Sequence, residues 1–108
     1  MLACYSISAA EYPQAEISNS VIQAKVYLPD AREGFYRGTR FDWSGVVSTL
    51  IWNGHNYFGN WFEKHDPTLH DSISGPVEEF LTDKAALGYM EAKPGEPFVK
   101  IGVGALRK

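Results

Sequence analysis

A hairpin signal near the middle of the chain restricts the fold more than any other feature of the sequence. Residues 46–52 are mostly strand formers, and Asn53 and Gly54 follow them. Both residues of this pair tolerate the positive φ that a type I′ turn requires. Residues 55–58 are then predicted to return as the antiparallel partner strand. The sequence therefore predicts a locally paired antiparallel sheet.

Other segments carry strand patterns on either side of this hairpin. Residues 15–28 include a turn signal at Asn19 and Ser20, after which the even positions are apolar and the odd positions mainly polar. This alternation predicts a half-buried strand, which Pro29 ends. Residues 98–106 are predicted to form one last strand. Residues 77–87 are predicted as either a short helix or two extended pieces.

Two aperiodic stretches, residues 30–44 and 60–74, are predicted to be long loops. With four or five strands and at most one helix, the chain is expected to be all-β, with an antiparallel sheet. Its 108 residues correspond to one small domain. Loops of about 15 residues are unusual in a self-contained domain of this size. The chain also ends directly after a strand, so we expect an incomplete sheet segment that self-associates through exposed edges.

The composition argues against several classes of function. With 10 basic and 13 acidic residues and no basic cluster, the chain offers little to a nucleic acid. No run reaches the roughly 20 apolar residues that a membrane-spanning helix needs. Cys4 is the only cysteine, which excludes an intrachain disulfide. Residues 1–14 are predicted to be a flexible N-terminus or the remnant of an export signal, so an extracytoplasmic location is a hypothesis.

The first loop holds the densest mixture of charged and aromatic side chains. Guanidinium groups donate to sugar oxygens, carboxylates accept from hydroxyls, and indoles offer a flat stacking face. These groups occur together at Arg37, Arg40, Asp42 and Trp43. The alternative is an internal ion pair between Arg40 and Asp42 that only orders the loop. A pair between Arg37 and Glu33 would act in the same way.

The second loop adds Trp61 as a stacking face and two histidines as polar binding groups. His65 and His70 are five positions apart with Pro67 between them, which matches no common zinc motif. No metal site is therefore predicted. Glycine-rich nucleotide-binding motifs and a G-x-S-x-G nucleophile motif are also missing from the sequence, and no cofactor is predicted.

Adjacent carboxylates follow a Gly-Pro turn at Glu78 and Glu79. A carboxylate there can accept hydrogen bonds from sugar hydroxyls, or act as a base if burial raises its pKa. The alternative is a solvated helix start, where acidic residues interact favourably with the helix dipole. The sequence leaves both readings open.

A resemblance to bacterial galactose-mutarotase-like proteins of the aldose 1-epimerase superfamily lies in the run YLPDAREGFYRGTRFDWSGVVSTLIWNGHNYFGNWF, followed by HDSISGPVEEF and EAKPGEPFVKIGVGALRK. It covers residues 16–108, and its most specific part is YRGTRFDWSG with the following hairpin. The resemblance implies that residues 15–108 are the N-terminal part of a β-supersandwich that holds a sugar on a concave sheet face.

The function implied by this resemblance is carbohydrate binding, in a parent protein that interconverts sugar anomers. In such proteins a histidine protonates the ring oxygen and a glutamate removes the anomeric hydroxyl proton. No position here matches either motif or the family's Asn-His-x-x-Gly segment. The chain is therefore expected to supply binding groups for a mono- or oligosaccharide: Arg37, Arg40, Asp42, Trp43, Trp61, His65, His70 and Glu78. A non-catalytic carbohydrate-binding domain and a structural or interaction β-domain are the alternatives.

Overall fold

The computed structural model describes residues 12–108 and shows an all-β fold of antiparallel sheets. Its strands are β1 (Gln14–Ser18), β2 (Ile22–Tyr27), β3 (Val46–Trp52), β4 (His55–Asn56), β5 (Pro97–Lys100) and β6 (Gly104–Arg107). The first four form one sheet in the order β1-β2-β3-β4, and the last two form a separate hairpin. The predicted all-β class is confirmed, and the larger supersandwich stays a prediction.

Most of the N-terminal segment that the sequence marks as flexible, residues 1–11, lies outside the described residues. Of its remaining positions, Tyr12 packs against the core and Gln14 begins β1. Residues 12–14 therefore belong to the folded part of the chain.

The two turns that the sequence predicts in the first sheet are both present. Asn53 and Gly54 have φ values of 50° and 76°, as a type I′ turn requires. At the β1–β2 turn, the Asn19 side-chain oxygen accepts from the N–H of Ile22 at 2.8 Å. Ser20 takes a positive φ of 74° in this turn. Local side-chain chemistry therefore sets both reversals of the chain.

The return strand of the central hairpin is shorter than the predicted span of residues 55–58. It ends at Asn56, whose side-chain oxygen accepts from the Leu50 N–H at 3.1 Å and from the Phe58 N–H at 3.3 Å. The amide thus occupies the Leu50 donor that a longer ladder would use. Tyr57 makes the last contact, donating to the Leu50 carbonyl at 2.9 Å.

A β-bulge in β3 determines which side of the sheet carries the core. Thr49 pairs with Lys25, whereas the next pairing residue along β3 is Val47. Ser48 is therefore the extra residue, and its hydroxyl donates to the Lys25 carbonyl at 3.3 Å. The extra residue turns Val46 away from the side of Leu50, because side chains alternate along a regular strand.

As a result, Val46 faces the same side as its partner Tyr27, and both pack in the core. The even positions of β2 project to the opposite side, where Ile22 is exposed. The predicted half-buried strand is thus present. Its core-facing side chain is Tyr27, at an odd position, whereas the aliphatic even positions face away from the core. The bulge is the reason for this difference.

The two predicted long loops form most of the core. Among the described residues, five hydrophobic side chains are buried, and four of these come from the loops: Phe35, Tyr36, Phe41 and Ile73, with Val46 as the fifth. Residues 30–44 and 60–74 contain no strand, as predicted. The Tyr36 hydroxyl joins them, since it accepts from the Phe41 N–H at 3.0 Å and donates to the His70 carbonyl at 2.7 Å. The loops are thus structural parts of the fold.

The predicted single strand over residues 98–106 is wrong, because the segment folds back on itself as β5 and β6. Residues 101–103 form the turn, and Gly102 has a φ of +85° that L side chains rarely adopt. The Gly102 carbonyl accepts from the Trp43 N–H at 2.9 Å, which fixes the hairpin to the first loop. Residues 77–87 contain neither a helix nor a strand. They hold a tight turn that the Thr82–Ala85 bridge closes, and Leu87 forms an isolated bridge with Val99.

Gly102 also lies too close to the first loop to carry a side chain. An added Cβ would come within 2.6 Å of the Asp42 Cγ and 2.9 Å of its Cα, so relief would require the loop backbone to move. We expect Gly102→Ala to lower the free energy of unfolding by at least about 2 kcal/mol, from strain and overpacking together. Gly95→Ala is the matched control, because Gly95 has the same φ of +85° and open space around it.

The control should lose only about 1 kcal/mol, the cost of the backbone conformation. Urea unfolding followed by circular dichroism measures both variants. Equal losses would show that the hairpin is not packed on the first loop as described.

Candidate functional site

Four charged side chains from four segments of the chain meet at one surface, here called the ion-pair cluster. Arg40 donates through Nη1 to the Asp71 carboxylate at 2.7 Å, and its Nε lies 3.5 Å from Glu79 Oε2. Lys100, which is only 9% exposed, donates to Glu79 Oε1 at 3.1 Å. The Nε2 of His70 lies 3.4 Å from the second oxygen of Asp71. The cluster therefore connects both loops with strand β5.

The charges of the ion-pair cluster are balanced, with two cations against two carboxylates. The Lys100 hydrogen bond, followed by the Arg40 guanidinium, lowers the pKa of Glu79. The hydrogen bond to Asp71 is the main reason that the pKa of Arg40 is raised. Glu79 is thus held ionised, as a hydrogen-bond acceptor rather than an acid. Both carboxylate side chains are 34% exposed and can accept from a ligand.

Aromatic rings lie directly beside these charges. The Arg40 guanidinium carbon is 4.8 Å from the centre of the buried Phe41 ring. Trp61 packs edge-on to the same ring, with 5.7 Å between the centroids. The Trp61 indole N–H donates to the Gly75 carbonyl at 3.1 Å, which fixes the ring while leaving Trp61 49% exposed. The Arg40 guanidinium and the half-exposed Trp61 indole therefore pack against the same Phe41 ring.

The structure places other predicted binding residues in structural roles. Asp42 accepts from both the N–H and the hydroxyl of Ser44 at 2.8 Å, so it closes a local turn. The predicted alternative of an Arg40–Asp42 ion pair is not formed, since Arg40 bonds Asp71 and Glu79 instead. Trp43 is half-buried, and its indole N–H donates to the Gly38 carbonyl at 2.7 Å.

Arg37 and Glu78 also lie apart from the contacts of the ion-pair cluster. The Arg37 N–H donates to the Pro67 carbonyl at 2.7 Å, and its Nε has no hydrogen-bond partner among residues 12–108. The Glu78 carbonyl accepts from the Asp42 N–H at 2.8 Å, while its side chain is exposed. Of the predicted residues, Arg40, His70 and Trp61 are the ones that the fold brings together.

His65 lies inside an aromatic column rather than at the surface cluster. Its ring stacks on Phe35 with 3.7 Å between the centroids, and Phe35 stacks in turn on Tyr27 at 4.1 Å. Tyr12 meets all three rings edge-on. The column therefore joins the first sheet to both loops.

Both ring nitrogens of His65 are engaged. Nε2 lies 2.6 Å from the Phe35 carbonyl, which can only accept, so Nε2 carries the proton. Nδ1 lies 2.9 Å from the Ser72 hydroxyl, and that oxygen in turn accepts from the Asp66 N–H at 3.1 Å. Burial lowers the pKa of His65, more than the Phe35 hydrogen bond raises it. The neutral ring is thus a structural element.

Sequence reasoning missed two members of the cluster in their actual roles. Asp71 is not among the binding residues that the sequence predicts, and Lys100 lies in a segment where apolar alternation is the visible signal. Their partners are 31 and 21 residues away in sequence, and no local pattern encodes such pairing.

Within the described part of the chain, no three His, Cys, Asp or Glu side chains are grouped as metal ligands would be. No helix among these residues is long and apolar enough to cross a membrane. No protein-family model, curated protein or solved structure matches the chain.

The buried imidazole makes stability depend on pH. The pKa of His65 is lower in the folded state than the unfolded value near 6.5, so the unfolded chain binds more protons as pH falls. The contribution of the neutral ring is full above the unfolded pKa and is lost as pH falls through the folded one. Urea unfolding at pH 7.5 and 5.5 should show lower stability at pH 5.5.

His65→Phe should be less stable at pH 7.5, because it cannot bond Phe35 or Ser72, and it should lose most of this pH dependence. His55→Gln, at an exposed position, is the control and should keep it. An unchanged pH dependence in His65→Phe would contradict the assignment.

Proposed function

We propose that the surface formed by the ion-pair cluster and Trp61 binds a neutral saccharide. The observation that supports this proposal most directly is the half-exposed Trp61 ring, held across Phe41 from Arg40. The C–H face of a pyranose stacks on an indole while its hydroxyls reach neighbouring polar groups. Arg40 can donate to such hydroxyls, and Asp71 can accept from them.

Charge balance favours a neutral ligand over an anionic one. Each cation of the cluster already contacts a carboxylate, Arg40 at 2.7 Å and Lys100 at 3.1 Å. An anionic ligand would have to compete with these carboxylates for the cations. Hydroxyl groups of a neutral ligand can instead donate to the remaining lone pairs of the carboxylates. A sugar without a carboxylate is therefore the better match.

The proposed role is binding, and anomer interconversion is assigned only to a longer parent protein of the kind that the sequence resembles. A carboxyl group that donates a proton at neutral pH needs a raised pKa. Among the described residues, the resolved carboxyl pKa shifts are downward instead, at Asp30, Asp66 and Glu79. In such a parent, this segment would supply binding groups through Arg40, His70 and Trp61.

An interaction domain is the second candidate function, with self-association as its simplest form. It is favoured by the large hydrophobic side chains that the described residues leave exposed, which include Ile17 at 61% and Trp52 at 49%. Contiguous exposed apolar surface is typical of interaction sites.

Titration with galactose, glucose and lactose, followed by the indole N–H signals in NMR spectra, tests the saccharide proposal. The Trp61 signal should shift, because its ring is exposed, whereas Trp43 is held half-buried against Gly38. Trp61→Ala should abolish binding. Trp52→Ala is the matched control, since both tryptophans are 49% exposed, and it should bind normally.

Asp71→Asn should weaken sugar binding by roughly tenfold, the loss expected from one hydrogen bond to a charged group. Glucuronate should bind more weakly than glucose. Equal responses of Trp52 and Trp61, or tighter binding of glucuronate, would contradict a neutral-saccharide site at the cluster.

A further inference from the structure

The side of the first sheet opposite the core is apolar across all four strands and is here called the apolar face. Paired residues share a face, and the register assigns its members in rows. The rows comprise Ala15, Val26 and Val47; then Ile17, Ala24, Leu50 and Tyr57; and then Ile22, Trp52 and His55. Ile17, Trp52 and Tyr57 are 61%, 49% and 50% exposed.

The apolar face carries no carboxylate, ammonium or guanidinium group. Its one basic side chain is His55, whose ring packs edge-on against Tyr57 with 4.4 Å between the centroids. A saccharide needs charged or amide groups around a stacking ring, and these are missing here. The small Ala24 side chain leaves a depression of about 210 Å³ between Ile17 and Ile22, which suits an aliphatic side chain. The chemistry of this face therefore fits an apolar protein surface.

A second copy of the same chain suits this face, because the face carries no carboxylate, ammonium or guanidinium group. In a two-fold symmetric contact each patch meets its own copy, so a charge close to the symmetry axis would face a like charge. The opposite side of the same strands carries Glu16 and Lys25, whose charged groups would lose hydration in such a contact. The apolar face has no such groups, and face-to-face contact brings hydrophobic surfaces together without unpaired charges.

The exposed area is sufficient for a reversible dimer. A half-exposed Trp or Tyr leaves roughly 100 Å² free. With Ile17, Ile22 and the smaller neighbours, the face offers on the order of 500–600 Å² per copy. Two copies would bury about 1,000–1,200 Å² in total, at the lower bound of specific interfaces.

We propose that two copies of this chain dimerise by packing their apolar faces together as a β-sandwich. The sheets would lie about 10 Å apart with aligned strands. This contact is independent of the saccharide site and differs from pairing through strand edges. In edge pairing, the outward N–H of Glu16 on β1 would donate to the second copy, because it is not used in the ladder with β2.

Sedimentation equilibrium of the whole chain, from about 1 to 500 μM, tests the proposal. The wild type should show a monomer–dimer equilibrium that 1 M NaCl does not weaken, since no ion pair contributes. Trp52→Lys and Ile22→Lys should each weaken dimerisation at least tenfold, with unchanged circular dichroism. Leu81→Lys, at a 54% exposed apolar position outside the face, is the matched control and should dimerise normally.

Glu16→Pro separates the two modes of association, since it removes the central outward donor of β1 and leaves the apolar face intact. The face-to-face dimer should tolerate this change. A wild-type monomer at 500 μM would overturn the proposal, as would a dimer that Glu16→Pro abolishes and Trp52→Lys does not affect.

Discussion

The arrangement of both long loops depends on one neutral imidazole. His65 stacks on Phe35 and bonds the Phe35 carbonyl, so it fixes the first loop through two contacts at once. Ser72, bonded to the other ring nitrogen, fixes the far end of the second loop. Because these loops supply four of the five buried hydrophobic side chains among the described residues, the core forms only when the loops are held in place. The column of rings and its hydrogen bonds hold the core segments together, as paired strands do in a closed sandwich.

Features set by local chemistry were predictable from sequence. The turns at Asn19 and Asn53 follow from which residues tolerate positive φ and which side chains bond the backbone. The loop boundaries follow from the loss of periodicity. The last hairpin was missed because its apolar alternation continues through the turn, and only Gly102 marks the reversal. A glycine within a strand pattern is also compatible with a bulge, so the pattern could not distinguish the two.

Features that depend on distant contacts were not predictable. The bulge at Ser48 changes which side of β3 faces the core, yet nothing in residues 46–52 marks it. Of the predicted binding residues, Arg40, His70 and Trp61 converge, whereas Asp42 and Trp43 serve the loop backbone. Residue type alone indicates which groups can bind a sugar. It does not indicate which of them the fold has already used for its own hydrogen bonds.

The ion-pair cluster belongs both to the fold and to the proposed site. Exposed ion pairs taken singly contribute little to stability. Here Lys100 is nearly buried, and its bond to Glu79 joins strand β5 to the segment that follows the second loop. Arg40 continues the connection to Asp71. A ligand that hydrogen-bonds these carboxylates therefore contacts the same groups that connect the second hairpin with the two loops. The saccharide binding proposed for this surface would be coupled to the packing of the hairpin, because a conformation without that packing has no assembled site.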